Sequence, residues 1–90
     1  LYSSALIADH FNWIPFDEPT EAVRVTVKTR YKAKEVPATA EVLRDENGLS
    51  TGRVIVRFDQ PERAVATGQA VVLYDGDTVV GGGTIREAIR

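Results

Sequence analysis

Apolar and polar positions alternate most strictly from residue 22. There Val23, Val25 and Val27 interleave with Arg24, Thr26 and Lys28. A period of two predicts a strand with one buried and one wet face, so Arg24, Thr26, Lys28 and Arg30 share the outward side. A second strand is expected after Pro37, through residues 38–43. A third is expected over residues 53–59, with Val54, Val56 and Phe58 inward. Between them lies residues 44–52, read as a polar hairpin loop with Asn47-Gly48 at its centre. Residues 60–68, containing Pro61 and Gly68, read as a turn. Residues 69–74 and 78–83 read as two further strands joined at Asp75-Gly76-Asp77. Asp75-Gly76 suits a two-residue type I′ turn with positive φ at both central positions.

Gly81-Gly82-Gly83 inside the last strand predicts a bulge, a barrel corner or close approach of another backbone. Residues 84–89 either extend that strand or turn into a short helical end. Near the start, Ala5-Leu6-Ile7-Ala8 is either a short strand or the tail of a linker. Pro15 and Pro19, with Asp17 and Glu18, predict a loop. Trp13 and Phe16 form either a lid over one end of the core or a patch that docks on a neighbouring domain. About six short strands separated by turn signals point to a small antiparallel barrel or sandwich. Closure would also remove the exposed edges of a valine-rich sheet.

Ninety residues make one domain with a small core, and 43% hydrophobic with 27% charged residues is ordinary for a globular chain. The chain lacks cysteine, which removes disulfides, thiolate metal sites and cysteine nucleophiles. It also lacks methionine and starts at Leu1, which leads to the expectation of a piece of a longer protein. No apolar run reaches the roughly 18 residues of a membrane span. Net charge is −2, yet Arg24, Lys28, Arg30, Lys32 and Lys34 face only Glu35 between residues 22 and 36. A basic stripe on an acidic body is more informative than the total.

Catalysis finds little support. His10 is the sole histidine, and Asp45, Glu46, Asp75 and Asp77 fall where turns favour carboxylates. The glycine triple lacks the Lys-Ser/Thr ending of a phosphate loop. Nucleic-acid binding is the better candidate. Lys28-Thr29-Arg30-Tyr31-Lys32-Ala33-Lys34 interleaves cations with an aromatic at a strand end. Cations neutralise phosphates, and a tyrosine ring can stack on an unpaired base. The competing reading is a solvated strand face.

Several short motifs recur in a fixed order: Val27-Lys28-Thr29-Arg30-Tyr31, Val36-Pro37, Phe58-Asp59 with Pro61, Ala64-Val65, Gly68-Gln69, Tyr74-Asp75-Gly76 and Gly81-Gly82-Gly83. Together with Leu6-Ile7-Ala8 and Trp13, they resemble the C-terminal domain of bacterial tRNA-specific 2-thiouridylases over nearly the whole chain.

The resemblance implies an all-β fold, a six-stranded antiparallel β-barrel similar to translation-factor barrels. It divides the chain into residues 1–20, a linker and first short strand from an upstream domain, and residues 21–90, the barrel. It implies a cytoplasmic parent enzyme with an N-terminal ATP-pyrophosphatase domain and a central domain. That parent adenylates the wobble uridine of certain tRNAs and replaces its 2-oxygen with sulfur from a donor protein. ATP with Mg would be held by the N-terminal domain, and the present residues would have no catalytic role and no cofactor. The partners implied are tRNA and the sister domains, with no membrane. A tRNA-contacting Arg-Tyr pair maps onto Arg30 and Tyr31, and a glutamine contact onto Gln69. Lys28, Lys32 and Lys34 extend the stripe by reading of the residues alone. Ala66-Thr67 replaces the Thr-Pro common in the family, and residues 44–52 read as a longer loop than usual. The alternative function is a scaffold barrel that docks on sister domains with little RNA contact.

Overall fold

The structure is a computed structural model that describes residues 2–14, 17–29 and 34–90. Six strands make up the chain: β1 Tyr2–Trp13, β2 Val23–Lys28, β3 Val36–Arg44, β4 Ser50–Arg63, β5 Ala70–Asp75 and β6 Thr78–Ile89. They close into an antiparallel barrel in the order β1-β4-β3-β2-β5-β6. The described residues contain no helix, and residues 84–89 continue β6.

Alternation works as the sequence predicts on β2 and β4. Val25 and Val27 are buried while Arg24 is exposed, and Val54, Val56 and Phe58 point into the core. Leu6 and Ala8 from β1, Ala38, Ala40 and Val42 from β3, Val71 and Leu73 from β5, and Val80 and Ile85 from β6 complete that core. Small residues at Ala8, Ala38 and Ala40 suit a narrow barrel, where facing side chains must interdigitate at crystal-like density.

Four expectations need correction. The first 20 residues are not chiefly a linker: Tyr2–Trp13 is a 12-residue stave paired with both β4 and β6. Its alternation is obscured because Ala5 and Leu6 are adjacent and both buried. The polar loop spans residues 45–49 rather than 44–52, since Arg44 ends β3 and Ser50 begins β4. Asp45 holds it, its Oδ1 accepting from the Asn47 and Leu49 amides at 2.8 and 3.0 Å. Pro61 does not end β4, which runs on to Arg63 opposite Tyr2. Pairing with β1 passes from Ala5↔Arg57 to Ser3↔Glu62, so the proline falls in an irregular stretch where no ladder donor is needed. Finally, the β5–β6 turn is Gly76-Asp77, because Asp75 pairs with Thr78. Only Gly76 has positive φ, 62°, as a type II′ turn requires, so Asp75 belongs to the strand.

The glycine triple is a site of close approach. A Cβ on Gly81 would lie 2.6 Å from the Phe11 ring, and one on Gly83 would lie 2.7 Å from the Asp9 carbonyl oxygen. Opposite them β1 bulges: pairing jumps from Asp9↔Thr84 to Asn12↔Gly82, with His10 at φ 50°. Phe11 lies over the glycines, 4.7 Å from Trp13 between ring centroids, and both rings pack on the core. Trp13 thus covers the barrel, as one of its two readings proposed. Phe16 lies outside the described residues.

Candidate nucleic-acid interface

Antiparallel pairing decides which residues share a rim. Lys28 near the end of β2 lies opposite Val72 near the start of β5. Val36 at the start of β3 lies opposite Val27. Arg63 at the end of β4 faces Tyr2, and Ile89 at the end of β6 faces Ala5. Lys28, Thr29, Lys34, Arg63, Gln69 and Arg90 therefore gather at one end of the barrel. Arg30, Tyr31 and Lys32, the other sequence candidates, lie outside the described residues.

Cations elsewhere on the barrel are engaged. Arg24 donates two parallel 2.7 Å bonds to Asp59 and a 3.0 Å bond to Thr39 Oγ1. Arg57 donates to Glu41 at 2.9 Å, and Arg44 lies 3.3 Å from Glu18. Arg53 and Arg86 converge on Asp9 at 3.7 and 3.2 Å. By contrast, Lys28, Lys34, Arg63 and Arg90 make no ion pair among the described residues. Arg63 instead stacks its guanidinium over the exposed Tyr2 ring at 5.7 Å.

The outward face of β2 thus divides. Arg24 is spent on Asp59, and the Thr26 hydroxyl donates to Glu35 at 2.7 Å. Among the described residues of that face, only Lys28, at the rim, makes no ion pair or side-chain hydrogen bond. The paired groups titrate accordingly. Asp59 is held below the ordinary 3.8, chiefly by the hydrogen bonds from Arg24, and Arg24 is pushed up by the same contact. Asp9 is also held down, first by the His10 amide bonding its carboxylate and then by the nearby charges of His10 and Arg53.

Gln69 is exposed, and its backbone is fixed. The Gly68 amide donates to the Ile85 carbonyl at 2.8 Å, and the Ile85 amide donates to the Gln69 carbonyl at 2.8 Å. Gly68 takes φ 85°, so the glycine and β6 set this loop where proline is missing.

Sequence reading missed Arg63, Glu62 and Tyr2 as rim residues. The first two sit just past Pro61 in an apparent turn, and Tyr2 lies in an apparent linker. It also counted Arg24 with the free stripe, because its partner is 35 residues away and only the strand register brings the two together.

No group of three or more His, Asp or Glu residues among the described residues could hold a metal. The glycine triple lies within β6 and forms no nucleotide loop. No step through ATP is assigned to these residues.

Fold and rim define a closed six-stranded antiparallel barrel module with a cationic end. Residues 3–85 match the family described as the aminomethyltransferase beta-barrel domain, and the chain belongs to that family. It is 46% identical over its full length to tRNA-specific 2-thiouridylase MnmA 2 of Caldanaerobacter subterraneus subsp. tengcongensis, covering 23% of that protein. It is 49% identical over 86 residues to tRNA-specific 2-thiouridylase MnmA of Acetivibrio thermocellus, covering 96% of the chain and 22% of the relative. The Clostridium acetobutylicum MnmA gives 45% over 86 residues, with the same coverage of both chains. The likeness to the C-terminal domain of tRNA-specific 2-thiouridylases thus holds across the chain, which spans about a quarter of these relatives' length.

Proposed function

We propose that this barrel is the tRNA-contacting domain of an ATP-dependent tRNA 2-thiouridylase. It holds tRNA while sister domains carry out adenylation and sulfur transfer at the wobble uridine. On this reading the barrel contributes no catalytic residue. ATP with Mg, the sulfur-donor protein and the reacting groups belong to other parts of a cytoplasmic parent. Lys28, Lys34, Gln69 and Arg63 supply contacts from the described rim, and Arg30, Tyr31 and Lys32 extend them.

One observation carries the reading: the described cations without an acidic partner gather at one rim, while the paired ones lie elsewhere. An exposed unpaired cation releases counterions when it meets phosphate, whereas a paired arginine must first give up its carboxylate. A single module of this kind binds weakly, with dissociation constants of roughly 10⁻⁴–10⁻⁶ M. In the triple variant Lys28→Ala, Lys34→Ala, Arg63→Ala, tRNA affinity at low salt falls about tenfold or more, while Arg57→Ala changes it little. Equal losses in both would overturn the reading.

A scaffold role has one observation in its favour. At the opposite end, Ile14 and Val79 are 48% and 41% exposed, and the Ile14 amide donates to the neighbouring Val80 carbonyl at 2.7 Å. If Ile14→Ser abolished tRNA thiolation by the full-length protein while the triple rim variant retained it, this second reading would prevail.

A further inference from the structure

The basic rim carries a cleft of about 230 Å³ lined by Val27, Thr29, Lys34, Val36, Phe58, Glu62 and Arg63. It lies below the roughly 300–1,000 Å³ common for small-molecule sites, a scale suited to one planar ring. Its floor is apolar: Val27 and Phe58 are buried core residues, and Val36 packs half-buried against them. Its edge is polar, and that edge is uncommitted. The Thr29, Lys34 and Glu62 side chains make no hydrogen bond or ion pair among the described residues. Arg63 is held from behind by the Tyr2 ring.

We infer that this cleft receives one unstacked nucleobase of the bound RNA, and that Glu62 selects a base bearing an exocyclic amine. The inference rests on the tRNA-contacting reading and specifies what its rim recognises. The chemistry divides cleanly among the residues. An apolar floor takes a base face, whose burial is favourable for every base. Among the described lining residues Lys34 and Arg63 are the cations, and they stand beside the cleft for the flanking phosphates. Glu62 is acceptor-only when ionised, so it pairs with the N4 amine of cytosine or the N6 amine of adenine. Uracil presents its O4 lone pairs at that position and meets the carboxylate acceptor to acceptor. A carboxylate set between the two cations of this cleft weakens phosphate binding, so its effect in RNA binding is discrimination rather than affinity.

The test titrates oligocytidylate and oligouridylate of equal length into the 90-residue chain and into its Glu62→Ala and Lys34→Ala variants. Oligocytidylate binds about tenfold more tightly than oligouridylate, the factor one good base contact supplies. Glu62→Ala brings the two together, and Lys34→Ala weakens both alike. A second readout needs no variant: the Val27 and Val36 methyl resonances shift with cytidine monophosphate and far less with uridine monophosphate. If the two polymers bind equally with salt-dependent affinity, or if Glu62→Ala leaves their difference intact, the base cleft is wrong while the tRNA-contacting rim stands. If neither polymer nor tRNA binds, both readings fall.

Discussion

Arg24 on β2 spans β3 to grip Asp59 on β4, both guanidinium nitrogens lying 2.7 Å from the two carboxylate oxygens, with Thr39 beneath accepting a third bond. This clasp ties three neighbouring staves on the wet face, and it removes from the unpaired stripe a cation that sequence alone would include. Asp59 is more acidic in the folded barrel than its ordinary 3.8. As pH falls, the unfolded chain therefore takes up the proton first. The clasp contributes fully above pH 3.8 and is lost as pH drops through the lower folded value. Arg24→Ala should flatten the acid side of the stability profile and leave residual acid dependence from Asp9, whose carboxyl is held down independently. Thermal unfolding of both proteins from neutral pH to below 3.8 checks this; parallel profiles would contradict it.

The glycine triple makes a sharper prediction about packing. A Cβ on Gly83 meets the Asp9 carbonyl oxygen at 2.7 Å, a backbone atom with no rotamer to yield. Gly83→Ala should destabilise by about 1–3 kcal/mol, the usual cost of overpacking. The Gly82 Cβ comes only to 3.1 Å of the Val71 carbonyl oxygen. Gly82→Ala should cost less, and denaturant midpoints rank the two. The reverse order would mean that the β1 bulge moves freely away from β6.

Gln69 separates binding from folding. Its contacts to Ile85 are made by its backbone, so removing the exposed side chain leaves them in place. Gln69→Ala should leave the unfolding midpoint unchanged and weaken tRNA binding by about two- to tenfold, as loss of one hydrogen bond of roughly 0.5–1.5 kcal/mol implies. A destabilised variant with unaltered binding would assign Gln69 to the fold.

Much of this barrel is legible in the amino-acid sequence. Val23 to Lys28 and Val54 to Phe58 alternate cleanly because each strand has one buried and one solvated face. Residues 2–13 were harder to read, since Ala5 and Leu6 are buried in succession and His10 breaks the ladder at a bulge. A two-residue period cannot report a strand that changes phase. At residues 75–77 the sequence marks a tight turn but not its frame, because Asp-Gly and Gly-Asp both satisfy hairpin chemistry and only pairing fixes which two residues form it. At the rim, Lys28 and Lys34 are visible in the sequence as cations, while Arg63 and Glu62 lie behind a proline that resembles a strand end. Which cations are free depends on the partner each strand meets across the sheet, and local sequence carries no record of that.

The most direct measurement is the affinity of this chain for tRNA across a range of monovalent salt. If the uncommitted rim cations lie on phosphate, the logarithm of the binding constant falls linearly with the logarithm of salt. The slope should be about −2 to −4, and less steep by roughly one for each of Lys28 and Lys34 replaced by alanine. An affinity that stays constant from low to high salt would contradict the account.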